Sequence, residues 1–532
     1  MALTTQAPST ASPQKQGMFR GADGSNYLFT FLLVSSLFLL WGFCNGMIDV
    51  MDKHFQQELH LSLAQSAWVQ FAHYLGYFLM AMPAGWLATK FGYKGGIIAG
   101  LLMVAVGGFW FLPATKIATY PAFLLGVCVI ASGLTFLETV ANPYTTVLGP
   151  KQFAATRINL AQSCNGVGWI FGPIAGAAFF YGKDASGAST GSQTLWIPYV
   201  GVGVVVLVLA GLFLMSKMPD VISEDEFHLD DSDKSIAYAP PANRGFAMTL
   251  LWLNIAVLSV AIGMIFSAIV AIPAVSQKLG LSESQALWYA SGALLVIGTL
   301  VFFTNSNKIT NHSIWSHPHF SGATLTQFFY VAAQCGIFAY FINYMTSQIP
   351  AIPDSFKDGF FGSWLEVHKN GLLGLSDAGA SKLASGGFMC FLAGRVIGAM
   401  LLKKFPAHKV LAFFACCAGA CSLAVVAKLG WLSAVAVFLS YFFMSIMFPT
   451  IFSLGIHGLG ARAKKASSFI VMAIMGGAIM PKLMGHIGDT HGISLGFAVP
   501  LVCFCWIALY AFTWSKLSKF EGLKGLSARG GH

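Results

Sequence analysis

Charge is what this 532-residue chain has least of: 9% of its residues are charged and 56% are hydrophobic. Soluble domains carry about 25% charged residues, so that deficit excludes a soluble enzyme or scaffold. Paired cysteines are also missing. The ten cysteines include no C-x-x-C pair and all fall in apolar stretches, which reads as small packing residues rather than disulfides or zinc ligands. Residues 1–26 are rich in Ser, Thr, Pro and Gln and lack the apolar core of a signal peptide, so they read as a tail. One nucleophile-elbow pattern, G-x-S-x-G at Gly187–Gly191, sits between two apolar stretches with no strand before it. With no metal-ligand cluster either, the chain does not read as an enzyme.

Long apolar runs are what it has instead. Stretches of the roughly 20 residues needed to cross a bilayer fall near 28–50, 64–88, 96–114, 121–148, 154–181, 196–216, 248–273, 286–304, 322–346, 382–402, 410–427, 432–456, 466–487 and 493–514. Because helices satisfy their own backbone in hydrocarbon, the fold class is an all-α polytopic membrane protein with about fourteen transmembrane helices. The formal net charge of +10 could suggest nucleic acid, but its placement argues for topology. With the N-terminus inside, 20 Lys and Arg fall in inside loops and tails, 8 fall outside, and Arg395 and Lys482 lie within spans. The positive-inside rule then places both termini in the cytoplasm; the expected setting is a plasma (inner) membrane, with the lipid bilayer as partner and no nucleic acid. Near helix ends, Arg395 and Lys482 are expected to snorkel.

The longest polar linker follows the sixth span. This divides the chain into a cytoplasmic tail (1–26), a six-helix half (27–217), a cytoplasmic linker (218–245), an extra helical hairpin (246–306), a second six-helix half (307–515) and a tail (516–532). ANPYTTVLG at 141–149 and MFPTIFSLG at 447–455 echo one another, each with Pro six residues before Gly. Parallel repeats around a midplane site are a transporter plan. The hairpin is surplus to a six-plus-six plan and is expected to take no part in the chemistry.

Glu138 is the one charged side chain from Ile117 to Pro150. Charge at a bilayer centre costs several kcal/mol, which makes an intramembrane carboxylate a functional candidate, although a protonated Glu locking two helices reads the same way. Asn142 shares its face one turn on, and Pro143 frees a carbonyl nearby. On the first span Trp41, Asn45 and Asp49 form an i, i+4, i+8 stripe, and on the fifth Asn159, Gln162 and Asn165 recur every three residues. Amides and carboxylates beside an aromatic ring suit a sugar, offering bidentate hydrogen bonds to hydroxyls and stacking on C–H faces. Gln70, His73, Gln334 and Asn343 are further polar residues inside spans. Gly168, Gly172 and Gly176 make a small-residue ridge that close helix packing explains.

GWLATKFGYKGGI (85–97), LWGFCNGMID, FLETVANPY, NLAQSCNGVG and FMSIMFPTIFSLGIHGLG together resemble the fucose–galactose–glucose:proton symporter family of the major facilitator superfamily. The resemblance covers about 28–217 and 320–515. It implies a monomeric, proton-coupled monosaccharide symporter for L-fucose or a related hexose such as galactose or glucose, working by alternating access with no cofactor beyond the coupling proton. It places proton coupling on Asp49 and Glu138, and the family's amide-rich fifth helix on Asn159, Gln162 and Asn165. Substrate contacts are then expected from Asn45, Glu138, Asn142, Asn159, Gln162, Asn165, Gln70, His73 and Gln334. The sequence departs from the family pattern where Gly46 replaces a second Asn and where Met447-Phe448 replaces Gln-Tyr, leaving a less polar pocket. Competing readings are an uncoupled sugar facilitator and a transporter-like sugar sensor.

Overall fold

The computed structural model describes residues 18–20, 25–149, 154–181, 194–216, 218, 244–271, 273–310, 313–359, 362–368, 371–457, 459 and 463–519. Most of the two tails and of the linker falls outside these. Of the helices, α1 (Leu28–Glu58), α2 (Trp68–Ile117), α3 (Tyr120–Val147), α4 (Ala154–Phe180) and α5 (Trp196–Met215) make the first bundle. The helix α2 holds two expected spans joined without a loop. It turns at Gly92, whose φ of 69° and ψ of −179° suit a residue with no Cβ, so the 85–97 segment is a kink where a loop was expected.

Next come α6 (Arg244–Val270) and α7 (Glu283–Asn305), the extra hairpin. The second bundle comprises α8 (Pro318–Ala339), α9 (Phe341–Ser347), α10 (Asp377–Lys404), α11 (Ala407–Val426), α12 (Trp431–Met444), α13 (Met447–Ile456), α14 (Ala463–Met472), α15 (Gly476–His491) and α16 (Ala498–Lys519). Its spans are broken: α8 and α9 meet at a 43° bend, and a short 3-10 turn separates α14 from α15. Among the described residues eleven helices are long and apolar enough to cross a membrane, or twelve with the bent pair. The other two expected spans, the first limb of α2 and α4, are helical as well.

Small residues bring α1 and α4 close together. A Cβ on Gly172 of α4 would lie 2.7 Å from the Gly46 Cα of α1, so the two backbones touch, as small-residue ridges allow in lipid. Between the bundles, polar contacts cluster at the end where α1 stops. There Lys53 pairs with Asp377 at 3.6 Å, Gln57 donates to the same carboxylate, the Leu63 amide donates to Asp489 at 3.0 Å and Asn343 donates to Gln56 at 2.7 Å. Toward the opposite end α14 lies against α2, and Arg395 of α10 donates to the Gln162 carbonyl of α4 at 2.8 Å. The bundle is shut at both ends.

The hairpin is peripheral. Its α6 leans on α8, with Asn254 donating to the Ser321 carbonyl at 2.9 Å, while α7 meets little beyond α6 and exposes Trp288 and Phe303. One expectation needs correction here. Lys482 pairs with Glu283 at the start of α7, a helix end, and sits 3.6 Å over the Trp68 ring. Arg395 instead reaches across to α4, because a partner within the bundle competes with the water layer.

Deleting residues 246–306 and rejoining the ends with a flexible linker is expected to leave substrate preference unchanged, since neither hairpin helix lines the central cavity. Thermal stability in detergent should fall, because Ala261 and Met264 pack on Phe71, Met475 and Ala478. A substrate panel and a melting curve on the same preparation check both halves of this statement.

Candidate functional site

Midway along the bundle, where the two halves meet, a small cavity is lined by Asn45 and Ile48 of α1, Gln70, His73 and Tyr74 of α2, Trp169 of α4, and Cys335 and Phe338 of α8. It has room for about one water. Its walls follow from helical spacing. Gln70, His73, Tyr74 and Tyr77 recur at three- and four-residue intervals on one face of α2. Asn45 and Ile48 do the same on α1, held inward by the Gly46–Gly172 contact.

Aromatic rings and hydrogen-bonding groups alternate around the space. The Trp169 ring is 5.5 Å from Phe338 and 4.8 Å from Phe388. His73 lies 4.8 Å from Tyr74 and 5.1 Å from Tyr77. Across the boundary between halves, Cys335 donates to the Tyr74 hydroxyl at 2.7 Å. Among the described residues Asn45 Oδ1 and His73 Nδ1 are buried without a hydrogen-bond partner, and buried polar atoms in that condition call for a ligand or water.

Glu138 stands behind this wall. It is 4% exposed and its Oε2 has no partner among the described residues. Tyr77 lies near both Glu138 and Asn45, and its hydroxyl accepts from Trp41 Nε1 at 2.6 Å. A second chain runs from the Glu138 carbonyl, which accepts from Asn142 at 3.1 Å. The Asn142 side-chain oxygen accepts from Gln162 at 3.0 Å, and Gln162 takes Arg395. Arg395 also donates to the Ser445 carbonyl at 3.3 Å and lies 4.9 Å from the Phe391 ring. The Glu138 backbone, and with it α3, is thus tied to a cation of the other half through two amides.

Of the expected residues, Asn45, Gln70 and His73 line the cavity, and Glu138, Asn142 and Gln162 form the network behind it. Asn165 does not join them: it is buried and donates to the Phe38 carbonyl of α1 at 3.3 Å, a helix-packing bond. Gln334 is half-buried beside Cys335 and is not part of the lining. Spacing by three put Asn165 on the face of Gln162, but α1 approaches that part of the face so closely that no cavity remains there. The side chains of Asp49 and Asn159 lie outside the described residues. Sequence reasoning missed Tyr77, Trp169, Phe338 and Arg395. Tyr77 was within reach, one turn beyond His73 on a face already marked by Gln70.

The profile of the Major Facilitator Superfamily matches residues 27–305. The L-fucose-proton symporter of Escherichia coli is 32% identical over 91% of this chain and 93% of its own length. A glucose/galactose transporter of Brucella abortus is 29% identical over 92% and 95%. The crystal structure of the E. coli fucose:proton symporter superposes with a TM-score of 0.57 at 31% identity, covering 92% of this chain and 99% of that one. A bundle of this helix order, with its polar cavity where two six-helix halves meet, matched along nine-tenths of its length, leaves one assignment: the chain belongs to the major facilitator superfamily, beside the L-fucose-proton symporter.

Proposed function

We propose that the protein is a proton-coupled symporter of a monosaccharide, L-fucose or a related hexose such as galactose or glucose. The observation that carries this reading is Glu138: a buried carboxylate with one oxygen unpartnered among the described residues, beside Tyr77 and behind a polar cavity between the halves. Trp169 and Phe338 offer apolar faces for a sugar ring, and Asn45, Gln70 and His73 offer donors and acceptors for its hydroxyls. Since a hexose does not fit a water-sized space, the halves must separate to admit it, which breaks the contacts at one end while the other stays shut. This is alternating access. The excess of Lys and Arg at the Lys94 end argues that this end and both termini face the cytoplasm of a plasma membrane.

Coupling follows from where the charge sits. A carboxylate that meets water in one state and is sealed in the other binds its proton with different strength in each, and sugar occupancy biases the exchange. The Asn142–Gln162–Arg395 chain gives the closed state a direct link from the Glu138 helix to α10. A proton falling through about 100 mV supplies about 2.3 kcal/mol, which supports roughly fifty-fold accumulation of a neutral sugar at one-to-one stoichiometry. Asp49 on α1 is a second coupling candidate on the grounds of its stripe with Trp41 and Asn45, and Asn159 a further sugar contact.

The reading is tested in proteoliposomes given labelled L-fucose, galactose and glucose, with and without an imposed proton gradient. Gradient-driven accumulation of one of them is expected. In the same assay Glu138→Gln should abolish accumulation and weaken sugar binding, whereas Asp49→Asn should keep sugar exchange and lose accumulation. Full accumulation by Glu138→Gln rejects the coupling role.

Alanine substitution separates cavity amides from packing amides. Asn45→Ala and Gln70→Ala should each weaken sugar binding by about 1–3 kcal/mol, the cost of leaving a buried group unpaired. Asn165→Ala should lower thermal stability with sugar affinity unchanged. Calorimetry and melting curves on the three variants decide the matter.

A further inference from the structure

A second buried carboxylate lies where the first bundle meets the second, and nothing in the sugar site uses it. Asp52 is on α1, two turns beyond Asn45, and is fully buried. Its Oδ1 has the Gln56 amide at 3.4 Å, a long contact, and its Oδ2 has no partner among the described residues. Gln56 is better engaged elsewhere: its amide donates to the Ser66 hydroxyl at 2.8 Å, and its oxygen accepts from Asn343 of the other half at 2.7 Å.

The surrounding hydroxyls point their protons away. Tyr120 donates to the Ser66 carbonyl at 2.9 Å, Tyr181 to the Val50 carbonyl at 3.2 Å, and Tyr340 to the Leu63 carbonyl at 2.9 Å. Ser66 itself donates to the Leu63 carbonyl at 3.0 Å. The nearby cation, Lys53, is paired with Asp377. Asp489 is engaged with the Leu63 amide, and Glu58 lies toward His54 on the same helix. A buried carboxylate with no cation of its own and one long amide contact carries an uncompensated charge, at a cost of several kcal/mol. Protonated, it is an ordinary buried polar group.

We propose that Asp52 is a proton-binding site that holds the Glu58 end of the transport path shut while protonated and opens it when ionised. Separating the halves withdraws Asn343 and Tyr340 and lets water reach the carboxylate, so the open state tolerates its charge. The proton therefore binds more tightly in the closed state, and acid shifts the population toward closure. The neighbouring groups push the other way. Protonating Asp377 or Asp489 removes a charge that bridges the halves, and charging buried His54, whose Nε2 is unpartnered among the described residues, puts a cation into an apolar setting that Glu58 only partly offsets. Closure by acid is thus the signature of a carboxyl that needs its proton to be buried.

The test measures the gate itself and needs no sugar, so it can fail without touching the proposed substrate class. Spin labels at Lys116 and Ser355, exposed positions on the two halves, report the separation by double electron–electron resonance, with exposed Cys416 and Cys505 changed to Ser. From about pH 9 to about pH 5 the closed-to-open ratio should rise, by at most about tenfold per pH unit for one linked proton. Asp52→Asn should remain closed throughout, and Asp52→Ser, neutral and smaller, serves if the amide does not fold. Glu138→Gln, which removes the sugar site's own linked proton, should still close in acid, with a shallower slope than the parent. A parent that opens in acid or ignores pH, or an Asp52→Asn protein that titrates like the parent, overturns the proposal. So does loss of the response in Glu138→Gln.

Discussion

The polar centre of this bundle depends on how closely α1 approaches α4. Backbone contact at Gly46 and Gly172 brings the Asn45 stripe and Trp169 to the same level, one on each side of the cavity. In lipid, apolar side chains gain little by leaving hydrocarbon for one another, so association rests on packing density and interhelical hydrogen bonds. The contact supplies both, since Asn165 also donates to the Phe38 carbonyl. A side chain at Gly172 would meet the α1 backbone, push α1 outward and carry Asn45 away from Gln70 and His73.

On that frame polar contacts join the halves along their length, among them Ser381 and Ser385 donating to carbonyls of α4, with the charged ones toward the ends. At one end these involve Lys53, Gln56, Gln57 and Leu63 facing Asp377, Asn343 and Asp489. Toward the other, Gln162 faces Arg395. Hydrogen bonds to charged groups contribute about 1.5–3 kcal/mol each. A single one is therefore comparable to the roughly 2.3 kcal/mol that a proton carries through about 100 mV, so an end can open within that driving force only as its contacts are exchanged for water.

Much of this was legible in the sequence. Glu138 stood out because nothing else charged lies between Ile117 and Pro150, and every expected span is helical in the structure. Legibility stopped where the question became which helix lies opposite. Periodicity identifies a residue's face, but Arg395 and Lys482 have their partners on other elements, far away in sequence. Asp52 was hidden for a different reason. The apolar run on the first span fades near Val50 and the following MDKHFQQE looks like a loop, yet α1 continues to Glu58. At 1.5 Å per residue its 31 residues extend well beyond the roughly 30 Å hydrocarbon core. Polar residues there are sheltered by protein, which composition alone does not reveal.

The hairpin's attachment also bears on how the molecule senses its surroundings. Through α8 and the Glu283–Lys482 pair it is fastened to the second bundle, while its outer helix presents Trp288 and Phe303 to whatever lies outside. A half that rocks carries this vane with it and must displace acyl chains along the way. Viscous drag from the acyl chains then enters the turnover rate, and membranes that differ in fluidity would set different speeds for the same binding chemistry.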